Sequence, residues 1–211
     1  SAVYALRRIA KERDDLLTPK RLNLEITRLD QLLQTWLGLE RQRPPFKIYA
    51  LEEAVEVEYS GLNLKLRIDR IDQFDDQSLA IIDYKSGSAS LAQWQGERLD
   101  EPQLPLYLLN LKSIYSVTSL AFALVSVERM GWVGISADTP KIAGAESLEK
   151  ARFWHLPRDW SELTHHWHNT VSQLAAGFAS GDGKVKPKSS AACRYCDYSS
   201  ICRVRETMPN K

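Results

Sequence analysis

The chain has 211 residues, 44% of them hydrophobic and 26% charged, which suits a globular domain with a substantial core. No apolar run approaches the ~20 residues of a membrane-spanning helix, no signal peptide is evident, and three clustered cysteines argue against a disulfide-built secreted scaffold. With 28 basic and 27 acidic side chains the net charge is only +1, so any contact with nucleic acid must rest on local basic patches.

Residues 3–17 place Val3, Leu6, Ile9, Ala10, Leu16 and Leu17 among charged side chains, an amphipathic helical pattern. Thr18-Pro19 has the form of an N-cap followed by an N1 proline. It opens a second helix to about Leu39, with Leu22, Ile26, Leu29, Leu33 and Trp36 on one face. Pro44-Pro45 ends that helix. The expected organisation is a helical annex over 1–45, a core over 46–182, and a basic C-terminal segment with clustered cysteines over 183–211.

A strand is expected from Phe46 to Glu58, where Val55 and Val57 alternate with glutamates. Next, Leu64, Leu66 and Ile68 alternate with Lys65, Arg67 and Asp69, the period of a strand with one buried face. Leu79-Ala80-Ile81-Ile82 is continuously apolar and turns polar at Asp83, as a central strand does on leaving the core. Asp75-Asp76-Gln77-Ser78 between them is turn chemistry, so the two runs form a hairpin. With the turn centred on Asp76, Asp69 lies opposite Asp83, with Cβ atoms about 4.5–5.5 Å apart. Facing carboxylates repel, and a cation between them removes the repulsion. Lys85, two residues past Asp83, leaves the same strand face. Two carboxylates and a lysine at the end of a buried strand suit a metal site for phosphate chemistry. Asp72, three residues past Asp69, leaves the opposite face and is expected to pair with Arg70 or Lys112.

Residues 86–99, with Trp94 and Arg98, are expected to form a loop or short helix. A helix follows from about Glu101 to Tyr115, capped by Asp100, with Gln103 and Tyr107 on one face. Leu120–Val125 and Gly131–Ile135 are strands joined by a tight turn, and a polar, loop-like stretch runs from Asp138 to Glu149. A last helix spans about Trp160 to Ala179. Its His165, His166 and His168 are spaced by one to three residues, which does not converge on a metal as an i,i+4 pair does. The tail from Lys184 onward holds seven basic against two acidic side chains, a local patch for phosphate contact.

Four elements occur in order: Gly61-x7-Asp69-Arg70-Ile71-Asp72, Ile81-Ile82-Asp83-Tyr84-Lys85-Ser86-Gly87, Gln103-x3-Tyr107, and Cys193-x2-Cys196-x5-Cys202. Together they resemble the PD-(D/E)XK nuclease superfamily, and within it the RecB-like nuclease domain of AddB-type helicase–nucleases. The resemblance implies an α/β restriction-endonuclease-like core, a mixed central sheet flanked by helices. It implies Mg²⁺ or Mn²⁺ held by Asp69 and Asp83, with the Tyr84 carbonyl and Glu52 as further ligands and Glu53 competing with Glu52. Lys85 would act on the attacking water or the phosphate, Gln103 and Tyr107 would orient groups beside the metal, and Arg70 and Arg98 are candidate phosphate contacts. The implied substrate is DNA, single-stranded or at a duplex end, in repair or recombination, with a helicase in the same chain or complex and a cytoplasmic location.

In those relatives Cys193, Cys196 and Cys202 would be three of four iron–sulfur ligands. The fourth cysteine and a metal-assisting histidine lie upstream, whereas no Cys or His precedes His155 here. The chain is therefore expected to be a C-terminal fragment of a longer protein, without an intact cluster of its own. Two other readings accompany this one: a catalytically silent DNA-binding module, and a structural zinc module in which Asp83-Tyr84-Lys85 is incidental.

Overall fold

The computed structural model describes residues 2–12, 18–111, 115–152, 154–188, 190–194, 196–202 and 204, and the statements below concern these residues. Helix α1 (Ala2–Glu12) precedes α2 (Pro19–Glu40), whose first turn is set by its cap: the Thr18 hydroxyl accepts the Arg21 N–H and Pro19 supplies the fixed φ of a first helical residue. Residues 13–17, expected to continue the first helix, lie outside the described residues.

Six strands follow: β1 (Phe46–Tyr59), β2 (Leu62–Phe74), β3 (Leu79–Lys85), β4 (Val117–Val125), β5 (Met130–Ser136) and β6 (Ala145–Ser147), adjacent in chain order. The pairs β1–β2, β2–β3 and β4–β5 are antiparallel, while β3–β4 and β5–β6 are parallel. The parallel β3–β4 pair needs a long crossover, supplied by a turn at Leu91–Trp94 and helix α3 (Gln103–Leu111). Helix α4 (Trp160–Ala179) begins where Asp159 accepts the Glu162 N–H at 2.9 Å. This is a mixed sheet flanked by helices, an α/β restriction-endonuclease-like architecture. The polar stretch expected to be a loop contributes β6, a three-residue edge strand too short to show any alternation. Asp100 does not cap α3; its carboxylate accepts from Lys188 at 2.9 Å and ties the C-terminal segment to the crossover.

The two sheet faces are built differently. Against α3 and α4 lies the larger apolar core, including Ile68, Ile71, Trp94, Tyr107, Phe122 and Trp167. Trp94 stacks on Phe122 with centroids 4.7 Å apart, and Trp167 Nε1 donates to the Trp94 carbonyl at 3.0 Å. On the other face α2 inserts Trp36 against Ala80, Ile82, Ala121, Ala123 and Trp132, so this helix is packed onto the sheet.

Beside that second core sits a buried charge network. Asp72, with no exposed surface, pairs with Arg43 Nη2 and with Arg70 Nε, each at 2.7 Å. Glu40, at the end of α2, takes Arg43 Nη1 and Arg70 Nη1, each at 2.8 Å. Burying ions is costly unless each charge is matched and hydrogen-bonded, and here two guanidinium groups meet two carboxylates. Removing one partner strands its neighbours. Asp72→Ala is expected to lower unfolding free energy by about 3–5 kcal/mol, read as a lower urea midpoint. A loss well below 1 kcal/mol would show the network to be dispensable.

Candidate active site

The site begins with an irregularity in β2. Strict alternation would put Asp69 on the face opposite Ile68. Yet Ile68 and Ile71, three residues apart, both pack into the α3-side core, while Phe74 joins the α2-side core. The alternation therefore changes phase around Asp69. Asp69 has no partner in the β1–β2 ladder, and neither does Glu52 across from it, which holds φ +52°, a strained value for a residue with a Cβ.

The β2–β3 ladder runs from Gln73↔Leu79 to Arg70↔Ile82, and one further step in this register sets Asp69 opposite Asp83, as the hairpin argument expects. There the two strands part. Asp69 Oδ2 accepts the Tyr84 N–H at 2.9 Å, a side chain standing in for a ladder bond. Helix α3 is fastened just upstream, where the Tyr107 hydroxyl donates to the Arg67 carbonyl at 2.6 Å.

Asp83 is 4% exposed. Lys85 Nζ lies 3.1 Å from Asp83 Oδ2 but off the hydrogen-bond direction, so this buried oxygen has an ion-pair partner and no hydrogen bond. The ammonium donates instead to Glu101 Oε2 at 3.1 Å and Gln103 Oε1 at 3.2 Å. Gln103 Nε2 then reaches the Tyr107 hydroxyl at 3.5 Å. Sequence reasoning brings Asp69, Asp83, Lys85, Gln103 and Tyr107 to one place, and the structure has them there. It adds Glu101, for which the only signal was its position beside the helix that carries Gln103.

These contacts set the protonation states. Burial pushes the Asp83 carboxyl up; Lys85 opposes this, and the charges of Asp69 and Glu101 add to it. Burial alone would lower Lys85, but its contacts with Asp83 and Glu101 outweigh that and hold it raised, as an ammonium. Tyr107 is raised as well, first by burial, with Gln103 pulling the other way and Asp83 and Asp69 pushing up, so it remains a phenol donor.

Other sequence candidates stand elsewhere. Arg70 is 6% exposed, and its guanidinium is bonded to Asp72, Glu40 and the Tyr84 hydroxyl on the α2 face, so it is structural and not a surface contact for phosphate. Glu52 turns away from the aspartates: its carboxylate meets Arg67 Nε at 2.6 Å with the side chain 58% exposed. Glu53 is exposed in the β1–β2 ladder opposite Ile68. Arg98 is half-buried in the loop before α3. Tyr84 gives its N–H to Asp69, and its ring leaves on the opposite face from Asp83 and Lys85.

Cys193 is buried, Cys196 exposed and Cys202 half-buried, near the turn Ser190–Cys193 and the short helix α5 (Ser199–Cys202). Among the described residues no three His, Cys, Asp or Glu side chains are gathered closely enough to hold an ion. The candidate metal donors are thus the Asp69–Asp83 pair. Such a pair suits Mg²⁺ or Mn²⁺, hard ions that bind through one or two carboxylates and keep several waters. Asp83 Oδ2, paired with Lys85 but without a hydrogen bond, and the mutual repulsion of the two carboxylates fit a cation at this point.

A mixed sheet with Asp83 and Lys85 at the end of β3 and Asp69 beside them on β2 defines an α/β protein of the restriction-endonuclease-like class. The sequence pattern of the PD-(D/E)XK nuclease superfamily matches residues 4–203, and the chain belongs to that superfamily. None of the curated proteins matches it. The crystal structure of SSO0001 aligns over 95% of this chain and 81% of its own at 16% identity, with a TM-score of 0.36, too distant a likeness to carry an argument.

Because the fold raises the Asp83 pKa, the folded state holds that proton more tightly than the unfolded chain. The associated stability is fully present below the ordinary carboxylate range and is lost as pH rises through the raised value. Asp83→Asn removes this dependence. Its urea midpoint relative to wild type should be most favourable near pH 7 and lose that advantage toward pH 4. An unchanged difference across this range would contradict the assigned burial.

Proposed function

We propose that the chain is a metal-dependent nuclease domain that hydrolyses DNA phosphodiester bonds in repair or recombination, working in the cytoplasm with a helicase in the same protein or complex. The observation that carries this reading is the convergence of Asp69, Asp83 and Lys85 at the end of β3, with Glu101 and Gln103 on the ammonium. Phosphodiester hydrolysis needs an activated water, compensation of charge growing on the phosphate, and help for the leaving oxygen. Mg²⁺ or Mn²⁺ held by Asp69 and Asp83, with the Tyr84 carbonyl, would supply charge compensation and a more acidic water. Lys85, kept protonated, serves as a donor to a phosphate oxygen or to the water and not as the base. Glu101 and Gln103 keep that ammonium in position when Asp83 is engaged elsewhere, and Tyr107 holds α3 against β2. The three cysteines would be ligands of an iron–sulfur site.

The placement of Glu52 on Arg67 favours a second reading, a DNA-binding module without turnover, because it leaves two acidic ligands in place of three. One experiment separates the two. Mn²⁺ binding is measured by calorimetry, and single-strand cleavage on the same samples, for wild type, Asp83→Ala and Lys85→Ala. The nuclease reading expects Asp83→Ala to lose both. It expects Lys85→Ala to keep Mn²⁺ binding while kcat falls about 10²–10³-fold, as when one transition-state donor is removed. Wild-type binding without cleavage supports the silent module, and absence of both removes the nuclease assignment from this chain.

A further inference from the structure

On the α2 side of the sheet, one peptide unit from the catalytic pair, an open cavity of about 550 Å³ is lined by Leu33, Trp36, Tyr84, Lys85, Ser86 and Val125. Successive residues of a strand point to opposite faces, so the Tyr84 ring leaves the sheet on this side while Asp83 and Lys85 leave it on the other. The ring is fixed at two points. Its hydroxyl accepts from Arg70 Nη1 at 2.9 Å, and its centroid lies 6.0 Å from that of Trp36 in an edge-on arrangement. Arg70 is itself locked by Asp72 and Glu40, so the platform is rigid before any ligand arrives. Even so, Tyr84 is 39% exposed and Leu33 38%. A held aromatic ring with its surface left open beside a reactive centre is poorly explained by core packing.

We propose that this cavity receives one unpaired nucleobase of the DNA strand whose phosphate lies at Asp69, Asp83 and Lys85. The inference rests on the nuclease reading and adds to it the form of the substrate next to the scissile bond. A base stacks on an aromatic side chain only when its own face is uncovered, and in a duplex both faces are covered by neighbouring pairs. The cavity therefore favours a nucleotide that has left the stack, in a single strand or a frayed end. It is tolerant of sequence, because its lining is apolar and aromatic apart from Lys85 and Ser86, and every base has a π-face. Position supports the assignment: Lys85 ends β3 at the edge of the cavity while its ammonium meets Asp83 on the other face, so one strand passing over the end of β3 can engage both.

The test uses the intact chain and single-stranded oligonucleotides carrying 2-aminopurine at successive positions, with binding and stacking measured in EDTA, which prevents cleavage, and cleavage measured separately in Mn²⁺. Fluorescence anisotropy reports binding, and quenching of the 2-aminopurine reports stacking. At one position quenching is expected in wild type and in Tyr84→Phe, which keeps the ring. It should be lost in Tyr84→Ala and in Leu33→Glu, which puts a charge in the cavity from an exposed helix position. Affinity for the single strand should fall about tenfold in the last two variants, the scale of one lost base stack. Oligonucleotide binding and cleavage without quenching at any position would overturn the cavity assignment and leave the nuclease reading intact. No oligonucleotide binding and no cleavage would overturn both.

Discussion

Asp83 is buried where β3 leaves the core, and water cannot compensate its charge there. The fold answers with a lysine two residues on, held by Glu101 and Gln103, and with Asp69 brought alongside from the neighbouring strand. Each requirement reaches further into the structure. Asp69 comes to that side of the sheet through the phase change in β2, and the backbone there is secured by Tyr107 from α3. Tyr107 in turn is placed by the crossover that parallel pairing of β3 and β4 demands.

The opposite face works as a rigid backing. Arg70 and Asp72 belong to the same strand as Asp69, and their bonds to Glu40 and Arg43 fix β2 to the end of α2. A surface ion pair would contribute little to holding a strand, but this network is buried and matched, so disturbing one charge disturbs the others. It places Tyr84 as well, through the Arg70 bond to its hydroxyl. The helix expected to be an annex thus supports the strand pair that carries the site.

Much of this was legible in the sequence because it depends on local pattern. An apolar run ending in Asp83, a turn centred on Asp76, the Thr18-Pro19 cap and the helical period from Trp160 to Ala179 each specify structure within a few residues. What was not legible depends on partners far along the chain. Arg70 looks like an accessible strand-end cation until Glu40, thirty residues earlier, is known to cover it. Glu52 is a candidate ligand through the family resemblance, and the positive φ of its backbone and its ion pair with Arg67 have no signal in the sequence. Likewise Asp100 has the residue type of a cap, but α3 starts three residues on, at Gln103, and Lys188 claims its carboxylate. A phase change in one strand leaves no mark in an alternating pattern that stops at Ile68 and resumes as a nearly continuous buried run.

The central claim is that Asp69 and Asp83 together form the cation site of this fold. Anomalous diffraction at the manganese edge, from crystals of the protein soaked in Mn²⁺, tests it most directly. The account predicts a peak between the two carboxylates, in direct ligation distance of both, with Lys85 Nζ moved off Asp83 and still held by Glu101 and Gln103. A peak at Glu52 or elsewhere, or none while the ammonium stays against Asp83, would contradict it.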